Sequence, residues 1–174
     1  RPLIREEGTD APSLGRLAEA AGVTKPVVYD HFGTRAGLLL ALYEEFDARQ
    51  TALMDEALAH SRATLLERAS VIAASYVACV LEQGRELPGV MAALAGSPEL
   101  EQVRREWEAG FMAKCRDALA PFTHGGELSS PALRAMRGAA EALSYAAAHG
   151  GITAAQAEDE LAAGVVAMGG RSLP

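Results

Sequence analysis

Segment after segment of this chain places apolar residues three and four positions apart, and a glycine, a proline or a hydroxyl residue marks each join. That spacing gathers apolar side chains on one face of an α-helix, and no run alternates long enough to demand a sheet. Ser13 can cap a helix carrying Leu14, Leu17, Ala18 and Ala21 on one face. Gly22-Val23 makes a turn, and Thr24 opens a short helix with Pro26 in its first turn, where a missing N–H does no harm. That helix stops at Gly33. Thr34 caps the next, whose stripe of Leu38, Leu39, Leu42, Tyr43 and Phe46 continues through Leu53, Met54 and Leu58.

Leu65–Gln83 reads as a long apolar helix closed by Gly84, and 88–95 as a short one. Ser97-Pro98-Glu99 starts a helix with Leu100, Val103, Trp107, Phe111, Cys115 and Leu119 on one side. After a loop containing Gly125-Gly126, Ser130-Pro131 opens a helix reaching Ala148, and Gly150-Gly151 breaks it. Thr153 caps a last helix running to about Met168. Adding a helix that holds Leu3 and Ile4 and closes at Gly8, the expectation is an all-α fold of about nine helices.

Composition agrees with helices. The chain is 49% hydrophobic but only 5% aromatic, and alanine, the best helix former, makes up the difference. The longest apolar run, Ala69 to Leu81, is too short to span a bilayer and reads as a buried helix, so no membrane partner is expected. No secretory signal is visible in the chain, which opens at Arg1 without a methionine, and a cytoplasmic setting is expected. Cys79 and Cys115 lie far apart in apolar stretches, as buried thiols do. Enzyme signatures are missing: there is no Gly-rich phosphate loop, nucleophile elbow or clustered Cys and His. Glu56 and His60 lack the Glu-x-x-His spacing of a helical di-metal site. Neither catalysis nor a cofactor or metal is expected.

The formal charge of −7 argues mildly against a nucleic-acid binder, because phosphate contacts need basic residues. Residues 1–40 set Arg1, Arg5, Arg16, Lys25 and Arg35 against Glu6, Glu7, Asp10, Glu19 and Asp30, an even balance. A DNA-binding reading must therefore rest on geometry. Residues 13–32 have the proportions for it: a helix, a glycine-containing turn, then a short second helix able to lie in a major groove. From spacing alone, an ordinary corner between two helices would look the same.

The residues themselves are more specific. Leu17-Ala18-Glu19-Ala20-Ala21-Gly22-Val23-Thr24-Lys25-Pro26-Val27-Val28-Tyr29-Asp30-His31-Phe32, followed by Gly33-Thr34-Arg35 and Leu38-Leu39, closely resembles the DNA-binding signature of the TetR family of transcriptional regulators. The resemblance covers roughly residues 3–46 and implies a helix-turn-helix DNA-binding domain at 1–46, its first helix incomplete, and a helical ligand-sensing and dimerisation domain at 47–174. Pro2 and Gly37 depart from the family pattern by disturbing the first turns of two helices.

In the roles so implied, Ser13 and Thr24 bring hydroxyls and free N–H groups to phosphates at helix N-termini. Arg16, Tyr29, His31, Thr34 and Arg35 position the backbone of the duplex. Lys25 suits the guanine acceptors, and Pro26 and Val27 suit a thymine methyl. Val23, Val28 and Phe32 are expected to face inward.

A single reading helix covers few base pairs, so a homodimer on a palindromic double-stranded operator is expected, with half-sites about 34 Å apart. The last two helices offer Met136, Ala139, Ala140, Leu143 and Ala147, and Ala157, Leu161, Gly164, Val165 and Met168, to a partner copy; a monomer could instead bury the same stripes within itself. The family analogy also implies a small-molecule effector, here a fairly apolar one. Candidate liners are Tyr76, Met91, Trp107, Phe111, Met112 and Tyr145, with His149 as polar anchor. The helix opening at Thr34 is the expected lever between effector and DNA, in a regulator read as a repressor released by its ligand. The rival is a helical protein-interaction module whose helix-turn-helix no longer reads DNA, a reading the neutral head favours.

Overall fold

The computed structural model describes residues 14–87, 90, 98–123 and 128–171. Seven α-helices and one 3-10 turn account for nearly all of them, and no strand occurs among the described residues. We number the helices α1 (Leu14–Ala21), α2 (Lys25–Phe32), α3 (Arg35–His60), α4 (Leu65–Glu86), α5 (Pro98–Leu119), α6 (Ser130–Ala148) and α7 (Ala154–Arg171); the 3-10 turn is Ala120–Phe122. Seven of the expected nine helices lie among the described residues. The one closing at Gly8 lies outside them, as does the one at 88–95 except for the buried Val90, and so do Ser13, Pro2 and Met91.

Local chemistry explains most of the boundaries. Thr34 Oγ1 accepts from the Gly37 N–H at 3.1 Å to start α3. Thr153 and Gln156 form a reciprocal capping box at the start of α7, at 2.9 and 3.1 Å. Two boundaries depart from expectation. The cap of α6 is Ser129, which accepts from the Ala132 N–H, and not Ser130. Helix α4 runs past Gly84 to Glu86, because the Leu87 N–H still reaches the Gln83 carbonyl at 2.9 Å and Leu87 is buried. An exposed glycine with no side chain to clash weakens a helix by about 1 kcal/mol but does not end one whose next turn is anchored.

The described chain divides into two compact units. The first takes the described residues up to Arg49 together with those of Glu82–Trp107; the second takes Gln50–Leu81 and those from Glu108 onward. In the first, Leu14, Ala18, Val28 and Leu38 make a small core, with Phe32 and Leu42 packed on it. Tyr43 stacks on Trp107 with ring centres 4.3 Å apart. Arg49 bonds Glu86 at 2.7 Å and lies over the Phe46 ring.

The second unit has the larger core, built around Met54, Ile72, Cys115, Leu119, Met136, Leu161 and Val165 with several alanines between them. Met136, Ala140, Ala157, Leu161 and Val165, expected to face a partner copy, are buried inside this chain's own core. Leu53, expected in the α3 stripe, is 53% exposed. The stripe drifts there because a helix turns by 3.6 residues, so Met54 and, half-buried, Leu58 stay on the core side. Burial pushes the Cys115 thiol up to about 12, which leaves it inert, whereas Cys79 is only half-buried. No helix among the described residues is long and apolar enough to cross a membrane.

Candidate nucleic-acid interface

Helix α1 stops at a glycine that its backbone requires. Gly22 has a φ of 65°, and around it the Val23 N–H bonds the Ala18 carbonyl at 3.0 Å while the Gly22 N–H bonds that of Glu19 at 3.2 Å. This paired closure satisfies the last carbonyls of α1 and needs a left-handed residue at its centre. Two residues later the extended Thr24 launches α2 in a new direction. The Thr24 hydroxyl makes no capping bond, which leaves it available to a ligand at the helix N-terminus.

On α2 the i and i+4 pair Val28 and Phe32 turn inward onto Leu14, Ala18 and Leu38, with Val28 only 4% exposed. That fixes what faces out. Lys25, Pro26, Val27, Tyr29, Asp30 and His31 are all exposed, Val27 and Tyr29 to 54% and 51%. Large apolar surface at a helix N-terminus is unusual without a partner, and here it sits beside a lysine and a free hydroxyl. Val23, expected inward, is 42% exposed: the closure around Gly22 carries it away from the core.

The corner after α2 is tighter still. Gly33, with φ 65° and ψ −61°, lets the Thr34 N–H bond the Phe32 carbonyl at 2.7 Å while its own N–H reaches Tyr29 at 2.8 Å. This is a γ-turn of the positive-φ kind, strained for any side-chain-bearing residue. Helix α3 then begins almost against α2: a Cβ added at Gly37 would lie 2.1 Å from the Phe32 carbonyl oxygen. By propensity alone Gly37 is a weakness of the helix start. The structure makes it the condition for the corner. Thr34 and Arg35 are thereby held, exposed, next to the end of the reading helix.

Of the ten candidate DNA contacts, Thr24, Lys25, Pro26, Val27, Tyr29, His31, Thr34 and Arg35 all lie exposed on this one stretch of two helix starts and a corner. Arg16 is on α1 but its side chain is outside the description, and Ser13 is outside it altogether. In the sequence Asp30 stands out only as a charge. It stands exposed between Tyr29 and His31, where it opposes phosphate but can accept from a cytosine amino group. The His31 ring is set edge-on against Phe32 at 4.6 Å, which limits its freedom.

The candidate effector liners are less unified. In the second unit Tyr76 and Phe111 are in ring contact at 5.5 Å, and both pack with Met112 against the main core. Burial, with Glu141 and Glu108 nearby, pushes the Tyr76 phenol up to about 12. Arg137 pairs with Glu108 and with Glu141 beside it. Trp107 belongs to the first unit, against Tyr43. Tyr145 is 64% exposed and stacks on the exposed His149 at 4.0 Å, so these two stand on a surface. No cluster of three or more His, Cys, Asp or Glu able to hold a metal occurs among the described residues.

Comparison with known proteins follows the same division. Residues 1–42 match the family model described as bacterial regulatory proteins, tetR family. Among solved structures, a Rhodococcus sp. protein described as a TetR-family transcriptional regulator superposes with a TM-score of 0.73. It shares 21% identity over 95% of this chain and 92% of its own, so the likeness speaks for the fold. No curated protein matches. Residues 1–42 are thus similar to the N-terminal segment of the tetR family of bacterial regulatory proteins, and the described residues share the fold of the Rhodococcus protein.

Proposed function

We propose that the protein is a ligand-responsive repressor that binds a palindromic operator as a homodimer. The observation that carries this reading is the outward side of α2, where Lys25, Pro26, Val27 and Tyr29 project from the same short helix whose other side is locked by Val28 and Phe32. Lys25 addresses guanine edges, Pro26 and Val27 a thymine methyl, and Tyr29, His31, Thr34 and Arg35 the phosphates on either side.

A short helix alone reads too little sequence for a useful operator, which favours two copies. The buried stripes of α6 and α7 are committed within the chain, but each helix keeps a second face. Ala142 and Tyr145 on α6 with His149 at its C-cap, and Gln156, Glu160, Ala163 and Ala167 on α7, are exposed at helical spacing. We assign the dimer contact to that face, and with it Tyr145 and His149. The effector site is then narrowed to Tyr76, Phe111 and Met112, whose aromatic contact and half-burial suit a fairly apolar molecule.

The test is a gel shift of the full chain on palindromic fragments from beside its own gene, over a range of salt. Binding that weakens steeply with salt and needs both half-sites supports the reading. Absence of any shifted fragment at low salt favours a protein-interaction module.

A further inference from the structure

The second unit contains a groove that none of the effector candidates lines. Leu58, Ala118 and Phe122 form its apolar wall and Arg68, Lys114 and Asp117 its charged edge, around a volume of about 480 Å3. That volume is in the range of small-molecule clefts. The charges are not equivalent. Lys114 is held by Asp55 at 2.5 Å, and Asp117 lies 3.6 Å from Arg116. Arg68 has no acidic partner among the described residues. Its Nη1 instead donates to the Leu58 carbonyl and, at 3.1 Å, to Ser61 Oγ, which pins the half-buried guanidinium at the groove with its remaining N–H groups unengaged.

We propose that this groove binds a small amphipathic monocarboxylate, its carboxylate on Arg68 and its apolar body on Leu58, Ala118 and Phe122. A guanidinium already fixed by two bonds loses little freedom on forming a forked pair with a carboxylate. Lys114 adds a second, partly neutralised positive charge. Asp117 at the same edge opposes a dianion, which selects a single negative charge over a phosphate monoester. Its lining shares no residue with the candidate DNA contacts or with the Tyr76, Phe111 and Met112 cluster.

Calorimetry on the full chain with phenylbutyrate and with its neutral amide, phenylbutyramide, tests this. The carboxylate is expected to bind roughly tenfold or more tightly than the amide, the worth of one charge-assisted pair. Arg68→Gln should erase that preference. Because Arg68 also holds the end of α3, a second variant is needed: Ala63→Trp, at an exposed position lining the groove, keeps every charge and should block binding by filling the space. Leu66→Gln, at an exposed position outside the groove, should leave binding unchanged. Equal affinity for acid and amide, binding that survives Ala63→Trp, or no binding at millimolar concentration would each overturn the proposal.

Discussion

In the first unit glycine stands at corners and chemistry stands outside; in the second, small residues lie along helices inside the core. Gly22, Gly33 and Gly37 define how α1, α2 and α3 meet, by positive φ at the first two and by close backbone approach at the third. Ala69, Ala73, Ala140 and Ala162 instead let helices of the second unit pack closely, each sharing a modest part of the load. The orientation of the reading helix therefore depends on a few backbone positions, whereas the body's stability is spread over many side chains. A head of this kind fails sharply and a body of this kind fails gradually.

The sharpest way to break that contrast is to move a methyl group from one setting to the other. Gly37→Ala drives a Cβ into the Phe32 carbonyl, and overpacking against backbone is expected to destabilise the head by about 3 kcal/mol and to abolish operator binding. Thermal unfolding with a parallel gel shift reads both effects. Gly110→Ala, where an added Cβ meets nothing within 4 Å, should instead stabilise the helix by about 0.5–1 kcal/mol. Comparable losses at the two positions would refute the distinction.

The body's own sensitivity is to alkali. The Tyr76 phenol is raised from its ordinary 10 to about 12, chiefly by burial. Below pH 10 its proton stays on in both states and the stabilisation is intact. As pH climbs from 10 through 12 the unfolded chain loses the proton first, and stability falls by roughly 1–3 kcal/mol. Urea unfolding across that window should show the drop, and Tyr76→Phe should remove Tyr76's share of it while leaving that of the buried Cys115 thiol.

The smallest expected effect returns to the head. Asp30→Asn removes an exposed negative charge from the side of α2 that also carries Lys25 and Tyr29. Affinity for any duplex should rise by up to about 1 kcal/mol at low salt and the gain should vanish as salt screens it. A gain that persists at high salt would mean that Asp30 acts through structure.

What could be read in advance follows from how local each determinant is. The caps at Thr34 and Thr153 were legible because a hydroxyl three residues from an N–H is a matter of adjacent sequence. The outward set on α2 was legible because Val28 and Phe32, four apart and apolar, settle the inward side. Gly37 was misjudged because its reason is a contact with Phe32 across the corner, which propensity does not contain. Tyr145 and His149 look like pocket residues by type, yet burial decides that matter, and residues far apart in the chain decide burial. The stripes of α6 and α7 could have served either a partner copy or the chain itself. Their periodicity is identical in both cases.

The most direct test of the reading helix is the base preference of Lys25→Ala beside Tyr29→Phe, measured by selection from a randomised half-site. Lys25→Ala should relax discrimination at one or two positions by roughly 1–3 kcal/mol, while Tyr29→Phe weakens all sequences alike. Unchanged preference in Lys25→Ala would contradict the placement of α2 in the major groove.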